Sequence, residues 1–307
     1  MATDNLTSTL TPAMSTYYEK VFLAKAQYKL VLEEGGQVRT HPANEGKTVN
    51  FTRMLPSAID ASPLTESCNP PACIISACTV AMTLAEYGKT FRSSKFLSLT
   101  SIDSKQKEFI EVAGQSMGET LNRVVREELR NGTAFRPNGH TVATMAAGDV
   151  LSASAIREMV KTLELAYALP YPDGTFMGKT NPYSKFSLLG DSTWINAKTY
   201  SDVKDLYMGE MGELYQVRWL NNLDEQAVCE ATSTAASTVA VYYTYVHGDQ
   251  SFGVYDLAGD QPKLYILPNV VDSGSPAGRI SLISWAGSYV AKLLNDEWVL
   301  ACRFTAA

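Results

Sequence analysis

The side chains able to do chemistry are few and scattered. The three histidines, His41, His140 and His247, each stand in a Gly- or Pro-rich polar stretch. A hydrolase needs a nucleophile with a base held in reach, and none of the three lies in a nucleophile-elbow or metallopeptidase motif. His247 is close to Asp249, but His247-Gly248-Asp249-Gln250 reads as a turn between strands rather than an acid–base pair. Cys68, Cys73 and Cys78 are evenly spaced, which raises the question of a metal. Their odd separation sends successive side chains to opposite faces of a strand, and zinc knuckles use a tighter spacing. They read as small packing residues. Gly209-Glu210-Met211-Gly212 lacks the lysine and the strand-to-helix setting of a phosphate loop. Glu127 and Glu128 lie mid-helix among arginines and read as a solvated or salt-bridged face. No catalytic, cofactor-binding or metal-ligating set is expected.

The composition fits a role other than chemistry. With 45% hydrophobic and 19% charged residues, the 307-residue chain has ample material for a core in one large domain or two modest ones. The net charge is -6 and no block of Lys and Arg occurs, which argues against gripping nucleic acid as the main task. Residues Met1–Leu10 lack the basic start and apolar run of a signal peptide, and no segment is apolar enough to span a bilayer. Five cysteines without a secretion signal point to reduced thiols in a cytoplasm.

The elements follow from periodicity. Thr11 and Pro12 suit a helix start, and Met14, Tyr17, Val21, Ala24, Tyr28 and Leu32 form its stripe up to Gly35-Gly36. A long helix is expected from Asp103, with Gln106 as capping-box partner, to a left-handed stop at Asn131-Gly132. Its apolar face is Ile110, Ala113, Met117, Leu121, Val124, Val125 and Leu129, with Gly114 and Gly118 beside it for close approach of another backbone. A third helix follows Ser152, stapled by Leu151 and Ile156 and striped by Val160, Leu163 and Tyr167. Beyond it, Phe186–Leu189 reads as a buried strand and Ser192–Thr199 as a short helix. Leu214–Leu220, Val239–Val246, Phe252–Leu257, Leu264–Leu267, Ile280–Leu294 and Val299–Phe304 read as strands. The irregular mixture is α+β.

One stretch resists burial. From Gly46 to Gly88 two extended runs flank a Pro-rich tip. Thr48 to Arg53 alternates, as does Cys73 to Tyr87, yet both faces carry small or polar side chains. An isolated two-stranded ribbon is marginal in water. It must fold back on its own domain or lie across another copy of the chain, and the residues alone leave both open.

The order of landmarks adds a family. Tyr17-Tyr18-Glu19-Lys20 opens a helix, followed by Gly46-Lys47-Thr48-Val49 with Phe51 and Arg53, then Leu64-Thr65-Glu66 with Pro70, then Glu86-Tyr87-Gly88. Farther on come Gly209-Glu210-Met211-Gly212, Trp285 and Leu294-Asn295-Asp296-Glu297-Trp298. Over most of its length the chain resembles the major capsid proteins of tailed double-stranded DNA bacteriophages, in particular those of short-tailed phages. It departs at Ser67, where the family usually has Gly, at Ser275-Pro276, where Asp-Pro is common, and at Ser284 and Ala286 beside Trp285, where Gly and Lys are usual.

The resemblance implies the tailed-phage major capsid fold. It divides the chain into an N-terminal arm with a helix (1–36), an extended β-hairpin loop (37–92), a peripheral domain with a spine helix (93–146 and 262–307) and an axial domain (147–261). It further implies a non-enzymatic protein that assembles as hexamers and pentamers into an icosahedral head enclosing double-stranded DNA. The expected partners are other copies of the chain, a portal, and scaffold or decoration proteins, in a virion assembled in the host cytoplasm, with no membrane. Subunit contacts are expected at Val49, Phe51, Arg53, Leu64, Glu66, Val80, Met82, Leu84 and Tyr87. An encapsulin-type nanocompartment shell of the same fold, carrying enzyme cargo, is the alternative; an enzyme with its site at a subunit interface is a second rival.

Overall fold

The computed structural model describes residues 18–26, 30–55, 57, 59–61, 63, 66, 69, 72–100, 105–140, 145–146, 148–194, 212–223, 240–271 and 277–305. Elements are numbered in chain order. The spine is α3 (Lys105–Leu129), 25 residues and therefore about 38 Å long. Its buried residues Ile110, Ala113, Met117, Leu121, Val125 and Leu129 recur at three- and four-residue steps, as the periodicity requires. This face lies across a five-stranded sheet built on the 14-residue β12 (Ile280–Leu293).

One side of β12 pairs antiparallel with β10 (Phe252–Leu257) and β11 (Lys263–Val270). The other side pairs with β4 (Ala85–Ser94), which runs directly into the short helix α2 (Lys95–Thr100), and β1 (Gln37–His41) adds in parallel beyond β10. Alternation sends Ile283, Trp285, Tyr289, Ala291 and Leu293 of β12 toward α3, joined by Tyr87 and Phe91 of β4. Gly88 stands opposite Ala286, where a Cβ would come within 2.9 Å of the Trp285 carbonyl oxygen. The Glu86-Tyr87-Gly88 and Trp285 landmarks are thus neighbours in one sheet.

The second sheet runs in the order β5 (Thr133–Phe135), β13 (Val299–Thr305), β9 (Val241–His247), β6 (Phe176–Thr180), β8 (Val217–Asn221), β7 (Glu213–Leu214). It is covered on both faces. Tyr243, Tyr245, Val299 and Ala301 join the spine-helix core, whereas Val246, Leu300, Cys302 and Phe304 pack with α4 (Ala153–Leu165). The two sheets draw strands from across the expected divisions: β10 from 147–261 lies under the spine helix, and β13 from the last segment completes the sheet beneath α4.

Several expectations hold locally. Ser152 caps α4, its side chain accepting from the Ala155 N–H, and Leu151, Ile156, Val160 and Leu163 are buried. Tyr167 is not on that stripe: the helix has ended at Leu165, and Tyr167 is exposed in the left-handed region. Phe186–Leu189 is not a strand but the end of α5 (Pro182–Leu189), because Asn181 caps it through the Ser184 N–H and Pro182 fits the first helical position. Leu214–Leu220 is a hairpin rather than one strand, turned at the left-handed Tyr215 and Gln216. Of Ser192–Thr199, residues 192–194 are helical and the rest lie outside the described residues, as do Val239, Asp103, Thr11, Pro12, Met14, Tyr17, Tyr28 and the Gly209-Glu210-Met211 landmark.

Two helix ends differ as well. α3 closes through Asn131 N–H to Glu128 O and Gly132 N–H to Leu129 O rather than a left-handed stop. Gly132 is needed for room instead, since a Cβ there would meet the Val299 carbonyl at 2.7 Å. The N-terminal helix α1 (residues 18–26) has given way to other structure by Leu30, well before Gly35. It buries Phe22 and Ala26, while Val21 is half-buried and Ala24 exposed, so its core face is one residue away from the expected stripe. Gly114 explains the choice: its Cα lies under the Phe22 carbonyl, where a Cβ would be only 2.5 Å away. The close approach at Gly114 is therefore made by this chain's own helix, reinforced by Lys25–Glu111 at 3.3 Å.

Candidate assembly surface

The arm consists of β2 (Thr48–Met54) and β3 (Ala77–Thr83), an antiparallel ribbon paired to nothing else among the described residues. The expected single run from Cys73 to Tyr87 is broken at Leu84. There the Leu84 N–H donates to the Lys47 carbonyl at 2.9 Å, and the chain leaves the ribbon to enter the sheet as β4. Beyond Met54 the two sides stay together: Leu55 N–H donates to Ser76 O at 2.8 Å, and Ser57 Oγ lies 3.0 Å from Cys73 Sγ.

Register places Val49 opposite Met82, Phe51 opposite Val80 and Arg53 opposite Cys78, all on one face. Thr48, Asn50, Thr52, Thr79, Ala81 and Thr83 occupy the other face and are exposed. Burial along the apolar face is graded. At the root, Val49 (9% exposed) and Met82 (2%) pack with Tyr255 and Leu294, supported by Phe51, Leu84 and Val290. Tyr255 and Val290 lie on the sheet face opposite the spine helix, so ribbon and helix clasp the same sheet from two sides. Phe51 and Val80 are half-buried, and the Arg39 guanidinium lies 4.7 Å above the Phe51 ring. Farther out the chain's own cover ends: Met54, Leu55, Ile59, Ile74 (88%) and Ile75 (69%) are exposed.

The expected contact residues therefore separate. Val49, Met82 and Leu84 root the ribbon, and Tyr87 packs against the spine-helix core. Phe51, Arg53 and Val80 lie in the half-covered middle, Glu66 is exposed, and Leu64 lies outside the described residues. The exposed apolar residues at the outer end were not singled out from sequence. The adjacent Ile74 and Ile75, beside Pro70-Pro71 in a stretch otherwise small and polar, were the available signal.

The three histidines lie in different parts of the fold. His41 Nε2 lies 3.1 Å from the Gly46 carbonyl at the foot of the arm, and His140 Nδ1 lies 2.7 Å from Asp149 Oδ2. His247 is not a turn residue: it ends β9 and is fully buried, because both faces of its sheet are covered. Glu127 and Glu128 are salt-bridged, to Arg126 and Arg130 and to Lys292 respectively. Among the described residues no group of three or more His, Cys, Asp or Glu could hold a metal, and no helix is long and apolar enough to cross a membrane.

No protein-family model matches the chain. No curated protein matches its sequence either. Solved structures do match its fold. The capsid of Ralstonia phage GP4 aligns at TM-score 0.65 with 11% identity, over 90% of this chain and 91% of that one. The capsid of cyanophage P-SCSP1u aligns at TM-score 0.63 with 12% identity, over 89% and 87%. A virus-like particle from Pyrococcus furiosus aligns at 0.55 with 12% identity, over 94% and 99%. The chain has the fold of tailed-phage major capsid proteins.

Proposed function

We propose that the chain is the major capsid protein of a tailed double-stranded DNA phage, closing as hexamers and pentamers into an icosahedral head. The observation that carries this reading is the ribbon. It is fastened to its own body at Val49 and Met82, half-covered from Phe51 to Arg53, and ends in the exposed Met54, Leu55, Ile59, Ile74 and Ile75. A two-stranded ribbon with one apolar face gains stability when that face is covered, and a second copy of the chain supplies the cover in a shell. Capsomer rings are heterologous, so an arm on one subunit meets a receiving surface on the next and the ring closes.

On this reading residues 1–36 form the N-terminal arm and 37–92 the extended loop. Residues 93–146 with 262–307 form the peripheral domain and 147–261 the axial domain, with β10 and β13 exchanged between them. The chain does no catalysis and needs no cofactor. An acidic subunit without basic blocks encloses DNA without holding it tightly. Other copies of the chain and a portal are its partners, and assembly takes place in the host cytoplasm. A nanocompartment shell around enzyme cargo is the second reading, supported by the likeness to the Pyrococcus furiosus particle at the lower TM-score of 0.55. The contents of native particles, DNA or an enzyme, separate the two.

The test removes the arm at its natural root. Deleting 48–83 and joining Lys47 to Leu84, whose backbone groups already touch at 2.9 Å, leaves β1 and β4 in place. A soluble, folded subunit that forms no shells in electron micrographs is expected. Normal shells from this variant would refute the assignment of the arm.

A further inference from the structure

Residues 30–36 join α1 to β1 and so lead into the arm, and buried polar side chains fasten them. Leu32 is fully buried. Its N–H donates to Asn122 Oδ1 of α3 at 2.9 Å, and its carbonyl accepts from Lys179 Nζ of β6 at 2.6 Å. The Gly35 carbonyl accepts from the Tyr171 hydroxyl at 2.6 Å. Gly35 is left-handed (φ 84°), and a Cβ there would come 2.9 Å from His247 Cε1, so the segment rests directly on the imidazole.

The base of this arrangement is itself charged and buried. Met177 stands opposite His247 in the sheet, and Lys179 lies two residues along on the same face. Phe252 meets the imidazole edge-on at 5.1 Å and lies 4.7 Å from the Lys179 ammonium. His247 Nδ1 is 3.1 Å from the Tyr171 hydroxyl and 3.2 Å from the Gly248 carbonyl. Its Nε2 is buried with no hydrogen-bond partner. A proton placed on Nε2 would find no acceptor and would set a second cation beside Lys179.

We propose that these residues form an acid-released latch: protonation of His247 beside Lys179 frees residues 30–36 from the body. Burial, then Lys179, hold His247 well below its ordinary range. Burial lowers Lys179 to about 7 against the opposing pull of Glu34 and Glu33. The other groups facing the cluster are Tyr171 with nearby Asp173 and Asp249, Asp256 of β10, and Tyr289 of β12. A base whose folded pKa is depressed contributes stability above its free value and loses it as pH falls through that value, here 6.5. Glu33, raised by burial and Asp256, acts in the opposite sense, since it gains its proton more readily while latched.

Hydrogen exchange on the full-length, unassembled subunit at pH 7.5 and 5.5, corrected for intrinsic rates, tests the latch independently of any shell. Protection of residues 30–36 is expected to fall by up to about tenfold at pH 5.5, the limit for one proton over one unit below 6.5. Protection in α3 and β12 is expected to hold. His247→Gln removes most of the pH dependence, leaving the smaller part that Lys179 contributes above 7, and Lys179→Met weakens protection at both pH values while shrinking the difference between them. Should His247→Gln fail to fold, the wild-type profile and Lys179→Met still decide. Unchanged protection of 30–36 in the wild type overturns the proposal, as does a loss shared equally by β12. A loss of protection at pH 5.5 that survives His247→Gln undiminished also overturns it.

Discussion

Replacing Ile74 and Ile75 with serine separates folding from assembly at the arm. Both side chains are exposed in the subunit, so the substitution removes almost nothing that the fold itself buries. Its effect on subunit stability is expected within about 0.5 kcal/mol. If a neighbouring copy covers them, each isoleucine contributes about 1.5–3 kcal/mol of apolar burial to that contact. Losing both costs about 3 kcal/mol or more per arm, roughly a hundredfold or more in the contact's equilibrium constant. Met82→Ala is the converse. Met82 is buried, so truncation is expected to destabilise the subunit itself by about 2 kcal/mol, near the low end for Met→Ala because the root cluster is small. Urea unfolding of the subunit measures the first quantity, and light scattering across a concentration series measures the second. Shells forming at the wild-type threshold from Ile74→Ser/Ile75→Ser would refute the reasoning, as would a loss of subunit stability matching that of Met82→Ala.

Two further outcomes follow from the packing of the body. Gly114→Ala places a Cβ 2.5 Å from the Phe22 carbonyl, a backbone atom that cannot swing aside, and should displace α1 at a cost of about 1–3 kcal/mol; faster hydrogen exchange confined to 18–26 is the readout, and unchanged exchange contradicts the packing. Lys179 is held near 7 against a free value of 10.5, so the unfolded chain binds the extra proton between these values and stability rises with pH across that window. The slope approaches about 1.4 kcal/mol per pH unit. Above about 10 the raised Tyr171 and Tyr289 reverse the sign. Urea midpoints at pH 7.5 and 9 check this, and a midpoint that falls, or a rise retained in Lys179→Met, counts against it.

Much of the framework was legible because it is local. The stripe Ile110 to Leu129 and the Ser152 cap are matters of spacing, and both stand in the structure. What sequence could not reveal is partner choice. Gly114 promised a close neighbour, but only the fold shows that the neighbour is Phe22 of the same chain. β4 looked like a continuation of the arm because a strand edge carries no mark of its mate, and its ten-residue pairing with β12 joins distant parts of the chain. Phe186–Leu189 was misread because a short apolar run has no period of its own. The Asn181-Pro182 pair just upstream was the better sign. His247 was read into the turn because Gly248 and Asp249 follow it, and its burial comes from the cover on both faces of its sheet, which no local pattern shows. At the arm, alternation was visible along each strand, but the gradient from buried Met82 to bare Ile74 depends on where the body ends.

Electron cryo-microscopy of the purified, overexpressed chain tests the central claim most directly. The account predicts closed particles in which the outer ribbon, with Ile74 and Ile75, lies covered by an adjacent subunit while Val49 and Met82 stay seated on their own sheet. Monodisperse monomers at every concentration, or particles in which the ribbon tips point into solvent, would contradict it.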